Sequence, residues 1–368
     1  MSRWVWLGLC LAVVGCGDDE PLGGPKLPAG FDDEAKAELV AAGVTKYFGQ
    51  FEAEQVESYE DFDAYTFAPR DDGPTCLFGD PFRVSVRDTG SRDLLIYLQG
   101  GGACWGSSCT ANAKAGIGVQ PVGWTDKTKE ANPALFDFSV VFVSYCDGSV
   151  FSGDNLVLAA DGSIERRHRG LANLSAALDI AKERFPTPRR VVVGGSSAGG
   201  YGTIVATAVV RLAYDGVPMF VINDAGVGLT NPEEDGLIEA VKNEWKFPQF
   251  LPASCADCLA SRQFTSVVQW GLDHDPSLRV GVFSAYEDSI ISGLFLGMTG
   301  PQFRELLLKE TGKVHEAHPS RYKRFFIEGG AHTAILAGYS DVSVNGTRLV
   351  AWTAAMLGDG GAWNDVLE

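Results

Sequence analysis

The sequence predicts an α/β fold with a mostly parallel central sheet and helices on both faces. Apolar, β-branched runs such as "LLIYL" (94–98) and "RVVVGG" (190–195) read as strands buried on both sides. Helical patterns separate these runs, as in a layered α/β domain. No internal repeat or linker-like stretch interrupts residues 31–368, so one domain is expected there.

In chain order, residues 32–50 open with acidic residues and continue in Ala, Leu and Lys, a helical pattern. "LLIYL" and "SVVFVSY" (139–145) are buried strands. Over 170–185, Leu171, Leu174, Leu178, Ala181 and Phe185 recur at helical spacing and form one apolar face. A strand at 190–195 runs into a helix at 198–214. "MFVIND" (219–224), "LRVGVFS" (278–284) and "RFFIEGG" (324–330) are further buried strands. Pro301 lies near the start of a helix at 301–313.

The 368 residues are 45% hydrophobic and 21% charged, with a formal net charge of −17. Such a charge repels phosphate backbones and anionic lipid, which argues against a nucleic-acid partner. At the N-terminus Arg3 precedes an apolar run from Trp4 to Val14. A bilayer takes ~20 residues, so this run fits a signal-peptide core instead. It ends in Val13-Val14-Gly15-Cys16, which resembles a bacterial lipoprotein cleavage box. Residues 1–15 are therefore expected to be signal peptide, Cys16 the lipidated first residue, and 16–30 a flexible Gly/Pro-rich tether. Cleavage leaves 29 basic against 47 acidic residues, near −18. The expected product is exported, monomeric, and in contact with a membrane only through its lipid.

Of eight cysteines, Cys10 lies in the signal and Cys16 is the anchor. Six remain: Cys76, Cys104, Cys109, Cys146, Cys255 and Cys258. An even number in an exported chain reads as disulfides, although six cysteines allow 15 pairings. "CADC" (255–258) lacks the second pair that a zinc site needs.

Four segments that follow predicted strands carry the chemistry. Strand–Gly195-Ser196-Ser197-Ala198-Gly199–helix matches the Gly-x-Ser-x-Gly elbow in its strand–turn–helix setting. Centring on Ser197 puts glycine at both −2 and +2, whereas centring on Ser196 puts Ala198 at +2. Ser197 is thus the nucleophile, and Ser196 a small neighbour. The phosphate-loop alternative lacks both the Gly-x-Gly-x-x-Gly spacing and a Walker lysine. "QGGGACWGSSC" (99–109) offers the backbone amides of its three glycines which, with that of Ala198, form a candidate oxyanion hole. Among the histidines, His332 follows the last strong strand on a glycine-rich loop and is the expected base. His168 precedes the serine, His274 between Asp273 and Asp275 reads as a solvated loop residue, and His315 with His318 lacks an acidic partner for a metal site. For the acid, "SAYEDSI" offers Glu287 and Asp288, and the chain alone leaves both open.

These motifs resemble the pectin acetylesterase family of α/β-hydrolase-type serine esterases, whose animal branch includes the Wnt deacylase Notum. The matching stretches are "LQGGGACW" (98–105), "YCDGSVFSGD" (145–154), "GGSSAGGYG" (194–202), "NDAGVGL" (223–229), "AYEDSI" (285–290) and "GGAHT" (329–333), in family order. The resemblance implies Ser197, Asp288 and His332 as the triad, with oxyanion donors at Gly101, Gly102 and Ala198. It also implies disulfides Cys76–Cys146 and Cys104–Cys109; the remaining Cys255 and Cys258 are assigned to each other. Plant members carry Trp where this chain has Ala103, which alters the acyl-pocket wall, with Trp105 a possible substitute.

The expected activity is hydrolysis of O-acyl esters, foremost O-acetyl on polysaccharides such as pectin, through an acyl-enzyme and with no metal or organic cofactor. Homogalacturonan is a polyanion, so a chain near −18 needs a local basic patch, for which "RRHR" (166–169) is the candidate. The alternatives are a deacylase of small or lipid acyl esters, a silent glycan-binding lipoprotein, and a peptidase or thioesterase using the same triad.

Overall fold

The computed structural model describes residues 29–358 and 362–368. The expected signal peptide, Cys16 and most of the tether lie outside them. Ten strands form one sheet: β1 Gln55–Ser58, β2 Asp63–Phe67, β3 Phe82–Arg87, β4 Asp93–Leu98, β5 Ser139–Val143, β6 Arg190–Ser196, β7 Met219–Asp224, β8 Arg279–Ala285, β9 Tyr322–Ile327 and β10 Val366–Leu367. Their order is β1-β2-β3-β5-β4-β6-β7-β8-β9-β10. From β5 to β10 every pairing is parallel, and the three pairings at the β1 end are antiparallel. The sequence reading did not place β1–β3, whose short runs mix polar and apolar residues.

Alternate residues of each parallel strand enter opposite cores, the period-two consequence of the pleat. Leu94, Ile96 and Leu98 of β4 join Val191 and Val193 of β6 on one face. Helices α1 Asp33–Ala41, α2 Gly170–Arg184, α3 Ala198–Ala213, α4 Thr265–His274 and α5 Gly300–Ala317 supply the other side of that core. Leu95, Tyr97 and Val192 point the opposite way, against Trp124, Leu135, Phe138 and the helix Leu349–Met356. Both faces are thus covered, one by long helices and the other mainly by a loop and shorter helices.

The helix expected over 32–50 stops at Ala41 and gives way to turns. Gly43 follows at φ +82°, a left-handed conformation that ends helices and that glycine adopts without a Cβ penalty. Asp32 caps the start, its side chain accepting Ala35 N–H.

Disulfides join Cys76 to Cys146, Cys104 to Cys109 and Cys255 to Cys258. The first closes a separation of 70 residues and ties the segment before β3 to the loop after β5. Three bonded pairs fit a chain exported to an oxidising compartment.

Candidate active site

Ser197 sits between β6 and α3 at φ 58°, ψ −118°, a backbone that L-residues adopt only when the surroundings enforce it. The enforcement is steric. A Cβ on Gly195 would lie 2.2 Å from Gly199 O, and one on Gly199 would lie 2.0 Å from Leu98 O. These are the −2 and +2 positions, so the glycine register read from the sequence follows from the crossing of helix, turn and neighbouring strand. Ser197 N–H donates to Asp224 O at 2.8 Å, pinning the elbow to the end of β7. Asn223 Nδ2 bonds Gly200 O and Gly226 O, both at 2.9 Å, and holds the first turn of α3 against the same strand end.

Ser197 Oγ lies 2.8 Å from His332 Nε2, and His332 Nδ1 lies 2.8 Å and 3.1 Å from the two oxygens of Asp288. Asp288 is fully buried. Its Oδ1 accepts Ile290 N–H and Ile291 N–H, each at 3.0 Å, which orients the carboxylate toward the imidazole. An ionised carboxylate is acceptor-only, so Nδ1 carries the proton and Nε2 is free to accept from the Ser197 hydroxyl. Ser197, Asp288 and His332 follow the carboxyl ends of β6, β8 and β9, where open parallel sheets place their functional groups. Glu287, left open by the chain alone, is directed elsewhere: its side chain is 40% exposed and lies 4.0 Å from Arg304.

The other histidines are held apart from this constellation. His168 is buried between Asp147 O and Glu244, 3.0 Å from each. His274 is not a solvated loop residue. It ends α4, and its Nδ1 pairs with the Asp32 carboxylate at 2.7 Å, a partner 242 residues away in sequence. His315 bonds Tyr322 O at 2.8 Å, and His318 lies 2.9 Å from Asp273, a carboxylate that sequence spacing did not reveal.

Gly102 and Ala198 border one cavity together with Ser197. A Cβ on Gly102, at φ +78°, would sit 2.5 Å from Thr110 O, so only glycine lets this loop approach. Gly101 borders a second cavity on the histidine side of Ser197. The first cavity is partly open to solvent, and its walls include Trp105, Val241, Trp245, Phe247, Ile291 and Phe295. Trp105 packs against Trp245 and Phe295, so an indole does enter the wall, two residues after Ala103. The Cys104–Cys109 disulfide closes the hairpin that carries it.

The "RRHR" run is not a free basic patch. It lies in the strand Ile164–His168 and the residue after it. Arg166 pairs with Glu244 at 3.0 Å, Arg167 with Asp71 at 2.7 Å, and Arg169 with Asp154 at 2.7 Å. Glu244 also accepts Gly106 N–H at 2.7 Å. The Arg166–Glu244 pair, with Arg166 donating to Gly106 O at 2.9 Å, therefore braces the Trp105 hairpin from behind. Their pairing partners lie up to 96 residues away, so the composition of the run alone did not reveal it.

Sequence reasoning missed Asp224 as a member of the site. Trp124 Nε1 donates to its Oδ2 at 3.1 Å, and Ala334 N–H to its Oδ1 at 2.8 Å. Ser196 Oγ also donates to Oδ2. Burial pushes this carboxyl up to about 6, against the opposing pull of these donors and of nearby His332. The available signal was an Asp at the carboxyl end of a buried strand.

A mostly parallel sheet with serine, aspartate and histidine in this chain order beyond its carboxyl ends defines the α/β-hydrolase class. Residues 64–245 match the pectinacetylesterase family model, the family that the chain's motifs resemble. It is similar to Pectin acetylesterase 4 of Arabidopsis thaliana, 32% identical over 32% of this chain and 31% of that protein. It is also similar to Palmitoleoyl-protein carboxylesterase notum1' of Xenopus laevis, 27% identical over 43% of this chain and 36% of that one. With Palmitoleoyl-protein carboxylesterase NOTUM of Mus musculus the identity is 22% over 75% and 61% respectively. The chain thus spans about a third of the length of the first two relatives.

Proposed function

We propose that this chain is a serine carboxylesterase for apolar acyl esters of uncharged alcohols. The 2.8 Å contact between Ser197 Oγ and His332 Nε2, beside an apolar cavity, carries the reading. His332 takes the hydroxyl proton as Ser197 attacks the ester carbonyl carbon. Backbone amides at Gly102 and Ala198 face the developing oxyanion, with Gly101 beside them. Collapse expels the alcohol, which leaves with the proton from His332, and an acyl-serine remains. Water, deprotonated by the same imidazole, then attacks the acyl carbon; acid is released and Ser197 regains its proton.

The cavity walls support an acyl chain longer than acetyl. The opposite cavity is bordered by Gln99, Thr110, Gln120, Thr125 and His332 together with apolar side chains such as Val122, Leu294 and Phe295, and by no carboxylate, lysine or arginine. That lining suits a neutral hydroxylated carrier, and the internally paired Arg166–Arg169 run offers little to a polyanion. Each methylene buried contributes ~0.8 kcal/mol, close to fourfold in rate if expressed in the transition state. For p-nitrophenyl esters, kcat/KM is expected to rise about 10²-fold or more from acetate to octanoate. A fall from acetate onward would remove the long-chain assignment. The match to Pectin acetylesterase 4 favours a second reading, removal of acetyl groups from glycans. Under it, acetylated xylan or pectin would be preferred to octanoate.

The disulfides fit an exported enzyme, and the Val13–Cys16 box supports attachment through acyl chains on Cys16. Radiolabelled palmitate is expected in the wild type and absent from Cys16→Ala; equal incorporation would rule the anchor out.

A further inference from the structure

One buried carboxylate touches both halves of the site without contacting the reacting atoms. Asp224, at the end of β7, is 0% exposed. Its backbone carbonyl accepts Ser197 N–H at 2.8 Å. Its Oδ1 accepts Ala334 N–H at 2.8 Å, two residues beyond His332. Its Oδ2 accepts the Ser196 hydroxyl and, at 3.1 Å, Trp124 Nε1–H. Tyr97 Oη lies 2.6 Å from Ser196 Oγ. A hydroxyl has one proton to give, so Ser196, which donates to the carboxylate, receives its own hydrogen bond from Tyr97. The donors all run inward to one anion.

The histidine loop needs such a hold. Thr333, between His332 and Ala334, has φ +67°, a conformation that costs a β-branched residue energy and persists only under external restraint. The Ala334 N–H to Asp224 bond supplies it. We propose that Asp224 is a positioning residue that sets the Ser197–His332 separation. It grips the elbow through Ser197 N–H and Ser196, and the base loop through Ala334 N–H. Ser196 is then the link between nucleophile strand and carboxylate rather than a filler of the turn.

The proposal rests on the esterase reading for its kinetic test but not for its spectroscopic one. In Asp224→Asn the amide oxygen still accepts Ala334 N–H, but the NH2 group opposes the Ser196 and Trp124 donors. Active sites are titrated with a fluorophosphonate so that misfolded molecules do not count. Per titrated site, kcat for a p-nitrophenyl ester is expected to fall about 10²-fold while KM stays within about threefold, because Asp224 itself borders neither cavity. The downfield proton resonance of His332 Nδ1–H is expected to shift or be lost to exchange. A folded variant with wild-type kcat per site and an unchanged resonance overturns the proposal. Should Asp224→Asn not fold, Trp124→Phe removes a single donor from Oδ2. It is expected to lower kcat about threefold to tenfold at unchanged KM, and wild-type kcat would overturn the proposal equally. If the wild type hydrolyses no ester, the functional reading fails and the resonance alone decides the positioning role.

Discussion

Ser197→Ala is expected to lower kcat for p-nitrophenyl ester hydrolysis by about 10⁴- to 10⁶-fold and to abolish labelling by a fluorophosphonate. The substitution removes the one hydroxyl within hydrogen-bonding distance of His332 Nε2 among the described residues. Alanine accepts the elbow no worse than serine does, so folding and KM should be retained. The neighbouring Ser196→Ala is the control that adjacency demands. Ser196 is 5% exposed, and its hydroxyl faces Tyr97 and Asp224 rather than the histidine. Its loss is expected to reduce kcat about tenfold through the loosened Asp224 network, with labelling retained. Comparable losses in the two variants, or an active Ser197→Ala, would falsify the assignment of nucleophile.

Asp288→Asn is expected to cost about 10⁴-fold in kcat through the histidine tautomer, with the fold intact. Asp288 Oδ1 already accepts two backbone N–H groups, from Ile290 and Ile291. In the asparagine variant the amide oxygen keeps those donors and the NH2 group turns to His332 Nδ1. Nδ1 must then accept, the proton moves to Nε2, and Nε2 can no longer take the serine proton. Glu287→Gln is expected to change kcat less than about twofold, because this exposed carboxylate lies toward Arg304. Equal effects at 287 and 288 would reject the acid assigned here.

Several parts of this protein are legible from local composition because their causes are local. The parallel strands announce themselves as β-branched runs, since a strand buried on both faces has no polar side to show. Helix α3 is legible despite its glycines, because Gly195 and Gly199 sit where strand, turn and helix come within van der Waals contact. The antiparallel strands β1–β3 were not legible: Gln55–Ser58 is exposed throughout and carries no buried pattern. The helix over 32–50 was overread because its apolar residues continue past Gly43, where the backbone turns left-handed.

The sequence by itself determined the succession of the parallel strands β4 to β9 with helices α2, α3 and α5, the glycine frame around Ser197, and the loops from which acid and base are presented. Sterics along the chain and the period of burial suffice for these. Only the tertiary structure turned Glu287 away from His332, paired His274 with Asp32, absorbed the charges of the 166–169 run into ion pairs, and drew Ser196, Trp124 and Ala334 onto Asp224. The Ser196, Trp124 and Ala334 contacts join residues 28, 100 and 110 positions from Asp224. A hydrogen bond is won by whichever group the fold brings to within about 3 Å, and no local pattern encodes that distance.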